Sequence, residues 1–191
     1  MSILLIAASP GQKSRSAALL AAAAEQLQLL GLSTQTLRLR ELPAQALLHA
    51  DFQHEQIQAA LESVRRAQVV VLATPIYKAS YAGLLKTFLD LLPQDGLQGK
   101  TVWSLASGGS LAHLLALDYS LLPVLTSLGA RQLVDGVYAT DAQLSHTEQG
   151  PVVDEAIRRR LSAGAAQVFE RVAQAQTGAT QPPLAVATVA A

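Results

Sequence analysis

QVVVLATPIYKASYAG, residues 68–83, is the stretch on which the fold turns. Its first half is apolar without alternation, the mark of a strand buried on both faces, as in a parallel sheet lying between two helical layers. The run therefore predicts a strand over 68–74. Pro75 then fixes its own φ and removes an N–H, and Gly83 precedes a segment of helical period, so the second half reads as a strand-to-helix loop. The same alternation recurs on either side. Short Val-, Ile- and Leu-rich runs predict further strands over 2–8, 33–39, 101–107 and 131–139. Helical periods predict helices over 14–30, 55–67, 81–92 and 111–128, with a terminal one over 152–175. Residues 39–52 read as a long connection. The expected class is α/β, a doubly wound five-stranded parallel sheet with helices on both faces.

The chain has 191 residues and is 50% apolar, which fits one domain, expected over 1–175. Residues 176–191, with two prolines and many small side chains, predict a disordered tail. Fourteen basic and 14 acidic residues give a formal net charge of zero, so neither a nucleic-acid nor an anionic-membrane footprint is expected. The absence of Cys excludes disulfides, thiolate catalysis and Cys-ligated metal centres. The apolar run near the N-terminus is too short for a membrane span and lacks a basic leader, so a cytoplasmic protein is expected.

In such a sheet a ligand binds beyond the carboxyl ends of the strands, where the strand order reverses. Three loops are expected there. The first, SPGQKSRS over 9–16, leads into the first turn of a helix and carries no acid. Free backbone N–H groups and the helix dipole favour an anion, Ser9, Ser14 and Ser16 add hydroxyls, and Arg15 adds charge. Ser14 acting only as a helix cap is the plainer alternative. Neither GxGxxG nor GxxxxGK[ST] occurs, so a single terminal phosphate suits the loop better than a dinucleotide or a nucleoside triphosphate. In the second loop Thr74, Pro75, Ile76, Tyr77 and Lys78 can offer main-chain groups and an apolar wall to a flat ring, although a simple turn accounts for them equally well. In the third, Ser107, Gly108, Gly109 and Ser110 allow close backbone approach, but an ordinary turn explains a lone Gly-Gly.

Outside these loops the signals are weaker. His49, His54, His113 and His146 show no metal-ligand spacing, and no metal is assigned. His113 is a candidate ring contact, whereas Asp90 and Asp118 read as solvated or interface carboxylates. Leu84, Leu85, Phe88, Leu89, Leu91 and Leu92 form an apolar arc wider than one sheet contact requires, from which a homo-oligomer is expected. Pro123 lies inside a helical pattern and cannot donate to the carbonyl of Tyr119, so a kink or a π-bulge is expected there.

Taken together, SRS, TPIYKASYAGLLKTFLDLLP, LQGK and SGGSLAHLLALDYSLLPVL resemble the NADPH-dependent FMN reductases of flavodoxin-like fold, and among them those that serve two-component alkanesulfonate monooxygenases. The resemblance covers residues 1–175 and implies the sheet order 2-1-3-4-5. It matches Ser9, Ser14, Arg15 and Ser16 to a phosphate loop, residues 75–78 to an isoalloxazine loop, and 107–110 to the opposite ring edge. It implies FMN as substrate or weakly bound cofactor, NADPH as hydride donor, and direct hydride transfer that needs no acid–base pair. It further implies a flavin-dependent monooxygenase as recipient of reduced FMN, a dimer or tetramer, and a π-helix created by Tyr119 at a subunit interface near the flavin, with a gating role. The chain departs from the family at Ala8, where Gly is frequent, and at Gly11, where Arg is frequent; Lys13 is positioned in sequence to compensate. Two other classes fit the loops, a flavodoxin-type electron carrier and an FMN-dependent quinone or azo reductase. A non-catalytic interaction domain is disfavoured because all three loops carry suitable residues.

Overall fold

A computed structural model describes residues 2–147 and 150–178. Its sheet is built from β1 (Ile3–Ala7), β2 (Thr34–Arg38), β3 (Val69–Tyr77), β5 (Thr101–Gly108) and β6 (Gln132–Thr140), all parallel, in the order β2-β1-β3-β5-β6. Counting only these five strands, that is 2-1-3-4-5, the flavodoxin-like order. A short strand, β4 (Ser80–Tyr81), folds back antiparallel onto the end of β3.

Alternate residues of each strand serve opposite faces, which is why the central runs are apolar throughout. Ile3 and Leu5 of β1, with Val69 and Val71 of β3, pack under α1 (Arg15–Leu29) and α6 (Glu155–Gly178). Leu4 and Ile6, with Val70 and Leu72, face α3 (Glu55–Arg66), α4 (Gly83–Leu89) and α5 (Leu122–Ser127). The edge strand β2 is exposed at Gln35, Thr36 and Arg38, and its sequence is correspondingly polar. The chain leaves β1 toward β2 on one side and resumes at β3 on the other, so a cleft opens beyond Ala7 and Thr74.

The five expected strands are present, with differences at their ends. β3 continues past 74 through Pro75, which sits opposite Ser107, and β4 takes Tyr81, the first residue of an expected helix, so α4 starts at Gly83. Residues 39–52 are not a plain connection but hold a 3₁₀ turn, Leu39–Glu41, and α2 (Ala44–Leu48). An antiparallel hairpin, β7 (Leu144–Thr147) with β8 (Gly150–Val153), occupies the start of the expected last helix, which begins at Glu155. That helix runs on to Gly178, so the first residues of the expected tail are helical, and 179–191 lie outside the described residues. The helix expected over 111–128 is broken into a 3₁₀ turn at Leu111–His113, a π-helical segment at Leu117–Leu121, and α5. In the π segment the Leu122 N–H reaches back five residues to the Leu117 carbonyl. The wide turn lies immediately before Pro123, whose ring cannot complete an ordinary helical ladder.

Candidate functional site

The loops after β1, β3 and β5 meet at the cleft and enclose a cavity of about 290 Å³. At one end stands the N-terminus of α1. Ser14 caps it, its Oγ accepting from Ala17 N at 3.3 Å and lying 2.9 Å from Ser16 Oγ. Ser9 Oγ accepts from Gly11 N at 3.2 Å and so closes the loop that precedes the helix. With Lys13 and Arg15 beside them, these hydroxyls and free N–H groups form an anion cradle.

Arg15 is steadied from the far end of the chain. Its Nε donates to the Leu144 carbonyl at 3.3 Å, and Nη1 lies 3.2 Å from Asp141 Oδ2. Asp141 opens a 3₁₀ turn, Asp141–Gln143, fixed by a reciprocal cap between Thr140 and Gln143. No motif pointed to Asp141, because it stands beyond β6 and matches none of the three loops.

The other end of the cavity is formed by Pro75, Ile76 and Tyr77 on one side and Ser107, Gly108 and Gly109 on the other. Gly108 is required by its neighbours: a Cβ there would lie 2.5 Å from Tyr138 Oη and 3.4 Å from Ile76 Cβ. Tyr138 is buried, and its hydroxyl donates to the Ser110 carbonyl at 2.7 Å. Burial, helped by the Asp141 carboxylate, pushes the Tyr138 phenol above its ordinary range and keeps it a donor. At Gly109 a Cβ would meet only Asp141 Oδ2, at 3.8 Å, so that position is open toward the cavity.

Four of the expected contact residues do not line the cavity. Ser16 is buried against Ser14. Thr74 is fully buried and bridges two backbone groups, donating to the Pro75 carbonyl and accepting from Ala82 N, both at 3.0 Å. It thereby ties the end of β3 to the start of α4. Lys78 sits with Ala79 at the tip of the β3–β4 turn, with φ of 51° and 63°. Ser110 caps the next 3₁₀ turn through Ala112 N. These residues shape the loops whose other members face the cavity. Gly11, Lys13 and Asp141 line it as well.

Tyr119 stands 79% exposed on the π segment. The same segment touches β4, since Ser120 Oγ lies 2.5 Å from Ser80 Oγ. Leu111 and Leu115 are exposed on the same stretch. By contrast Leu85, Phe88, Leu89 and Leu91 of the apolar arc are buried in this chain's own core, so the arc by itself does not call for a partner. Asp90 pairs with Lys86 at 2.7 Å, Asp118 is exposed, and His113 does not line the cavity.

The residues present fit a flavin mononucleotide. The cradle supplies hydroxyl, N–H and guanidinium donors to a phosphate, and the glycine pair leaves room for the backbone to lie close to a flat ring.

Comparison with known proteins agrees with that chemistry. The model of a family described as NADPH-dependent FMN reductase matches residues 1–144. A protein of Pseudomonas putida named FMN reductase (NADPH) is 43% identical over 148 residues, which cover 78% of this chain and 75% of that protein. An FMN reductase (NADPH) of Escherichia coli K12 is 41% identical over 161 residues, 84% of each chain. The apo crystal structure of an NADH:FMN oxidoreductase, EMOB, superposes with a TM-score of 0.79 at 35% identity, covering 88% of this chain and 89% of the other.

Proposed function

The chain belongs to the NADPH-dependent FMN reductase family, and from that premise we propose that it treats FMN as an exchangeable substrate rather than a fixed prosthetic group. As an NAD(P)H-dependent FMN reductase it is an oxidoreductase, with FMN and NADPH as its substrates or cofactors. When bound, the flavin supplies the hydride-accepting ring, and no side-chain acid is needed for the transfer. The chain's own residues bind and orient. Ser9, Ser14 and Arg15 hold the phosphate, with Lys13 in support. Pro75, Ile76 and Tyr77 wall one side of the ring, and Ser107, Gly108 and Gly109 allow the backbone close on the other. Ser16, Thr74, Lys78 and Ser110 keep those loops in shape.

The observation that carries exchangeability is the Ser80–Ser120 contact between the ring loop and the π segment. A π turn is a higher-energy stretch of helix, and here it buttresses the loop that walls the ring, so rearrangement of one moves the other. Tyr119, with Leu111 and Leu115, offers an exposed apolar edge beside that contact, which we assign to a homo-oligomer interface, a dimer or tetramer. Reduced FMN then passes to a separate flavin-dependent monooxygenase, in keeping with the resemblance to the reductases of sulfonate desulfonation. NADPH is the proposed donor, although the EMOB structure named above is of an NADH enzyme. Among the described residues no helix is long and apolar enough to cross a membrane, and a cytoplasmic location is proposed.

One experiment tests the reading. The absorbance of purified protein is recorded, and NADPH oxidation is then followed with and without added FMN. Colourless protein that oxidises NADPH only with FMN present supports it. Protein that stays yellow and ignores free FMN is an electron carrier, and faster turnover with a quinone than with FMN marks a quinone reductase. Tyr119→Ala is expected to give protein that purifies yellow and loses turnover with free FMN; colourless protein of parental rate would remove Tyr119 from gating.

A further inference from the structure

We propose that Asp141 is a built-in competitor for Arg15 that weakens the hold on flavin phosphate and so keeps FMN exchangeable. The inference rests on the reading of residues 9–16 as a phosphate cradle. Asp141 is the one carboxylate among the residues lining the cavity, and its Oδ2 stands 3.2 Å from the Arg15 guanidinium. An anion arriving beside Ser9 and Ser14 meets a cation already paired and a negative charge of its own sign. Both side chains are about half exposed, 47% and 43%, so water can replace either partner as the phosphate enters.

Positioning Arg15 is the obvious alternative role for Asp141, and the geometry argues against it. The guanidinium has a second anchor, the Leu144 carbonyl at 3.3 Å, which an Asp141 substitution leaves in place. Asp141 is likewise placed independently of Arg15, at the start of a 3₁₀ turn held by Thr140 and Gln143. On the side of Gly109 no side chain covers it, and a Cβ there would stand 3.8 Å from Asp141 Oδ2. Each partner thus keeps its place when the other is removed. What the carboxylate changes is the field at the cradle, and that field acts on the phosphate and not on the uncharged ring.

The test compares two ligands that differ only in the phosphate. Binding of FMN and of riboflavin is measured by flavin fluorescence on titration with protein, for the parent and for Asp141→Asn, which keeps the shape and removes the charge. Thermal unfolding confirms that the variant is folded, and Asp141→Ala is the second variant should it fail to fold. The expected result is FMN binding tightened about tenfold, equivalent to roughly 1.4 kcal/mol, with riboflavin unchanged. The FMN gain should shrink as salt is raised, since the interaction is screened. FMN binding that is unchanged or weakened, with riboflavin unaffected, overturns the proposal and makes Asp141 a holder of Arg15. Equal tightening of both flavins also overturns it, because the effect would then not be on the phosphate. If neither the parent nor Asp141→Asn binds FMN better than riboflavin, the cradle reading falls and this inference with it.

Discussion

In the proposed reading Arg15 carries the phosphate end of the site, and its environment sets how much its loss can cost. A charge-assisted hydrogen bond contributes about 1.5–3 kcal/mol when desolvated, but Arg15 is about half exposed and shares its charge with Asp141. For Arg15→Ala we expect FMN binding to fall about fivefold to tenfold, close to the roughly 1 kcal/mol of an exposed pair, with riboflavin binding unchanged. Equal losses for both flavins would take Arg15 out of the phosphate site. The two glycines at the end of β5, Gly108 and Gly109, should behave differently from each other. Gly108→Ala puts a Cβ against the buried Tyr138 hydroxyl, an overpacking worth about 1–3 kcal/mol, so both stability and flavin binding should drop. Gly109→Leu has free space at its Cβ and should retain the parental melting temperature while losing flavin affinity. A Gly109→Leu variant that binds FMN normally would show that the ring does not reach this loop. SGGS allowed a close approach but read equally as an ordinary turn, and nothing there told the two glycines apart, because the distinction lies in Tyr138, thirty residues away in β6.

Among the elements, the irregular ones hold the positions on which the proposed exchange of flavin depends. Pro123 made an irregular helix legible, since a missing N–H is a local fact; the π segment at Leu117–Leu121 is its structural expression. The β3–β4 hairpin was not legible. Its two turn residues, Lys78 and Ala79, have φ of 51° and 63°, values that a two-residue hairpin usually assigns to Asn and Gly. Left-handed backbone costs an L-residue about 1–2 kcal/mol, so this turn next to the ring wall is held in place by its neighbours, Thr74 and the β3–β4 pairing. Ala79→Gly should therefore stabilise the protein by about 0.5–1 kcal/mol after the extra unfolded-state entropy of Gly, read as a rise in melting temperature. A fall would mean that the turn is not strained. The β7–β8 hairpin also escaped the sequence, because four-residue strands give too short an alternation to separate from the helical period that follows.

For the molecule as a whole, the doubly wound sheet could be read directly because burial on both faces leaves runs such as VVVLA with no polar position. What the sequence could not state is how closely the layers approach. Gly164 of α6 lies against Trp103 of β5, where a Cβ would come 2.3 Å from the ring; the indole is fully buried and its Nε1 donates to the Asp135 carbonyl. Gly164→Ala gains about 1 kcal/mol of helix propensity but forces the helix off the sheet. Overpacking of about 1–3 kcal/mol should prevail, lowering the melting temperature by about 2–4 °C per kcal/mol; an unchanged or higher value would show that α6 can shift freely. The hold on Arg15 from Leu144, 129 positions along the chain, also has a meaning in time. On the ribosome the serines of the first loop emerge together with Arg15, but the Leu144 carbonyl that anchors it follows 129 residues later. A nascent chain thus displays the hydroxyls of the proposed anion site well before it owns the contacts that restrain and oppose its cation, and the flavin affinity proposed for that site cannot be set until they have been made.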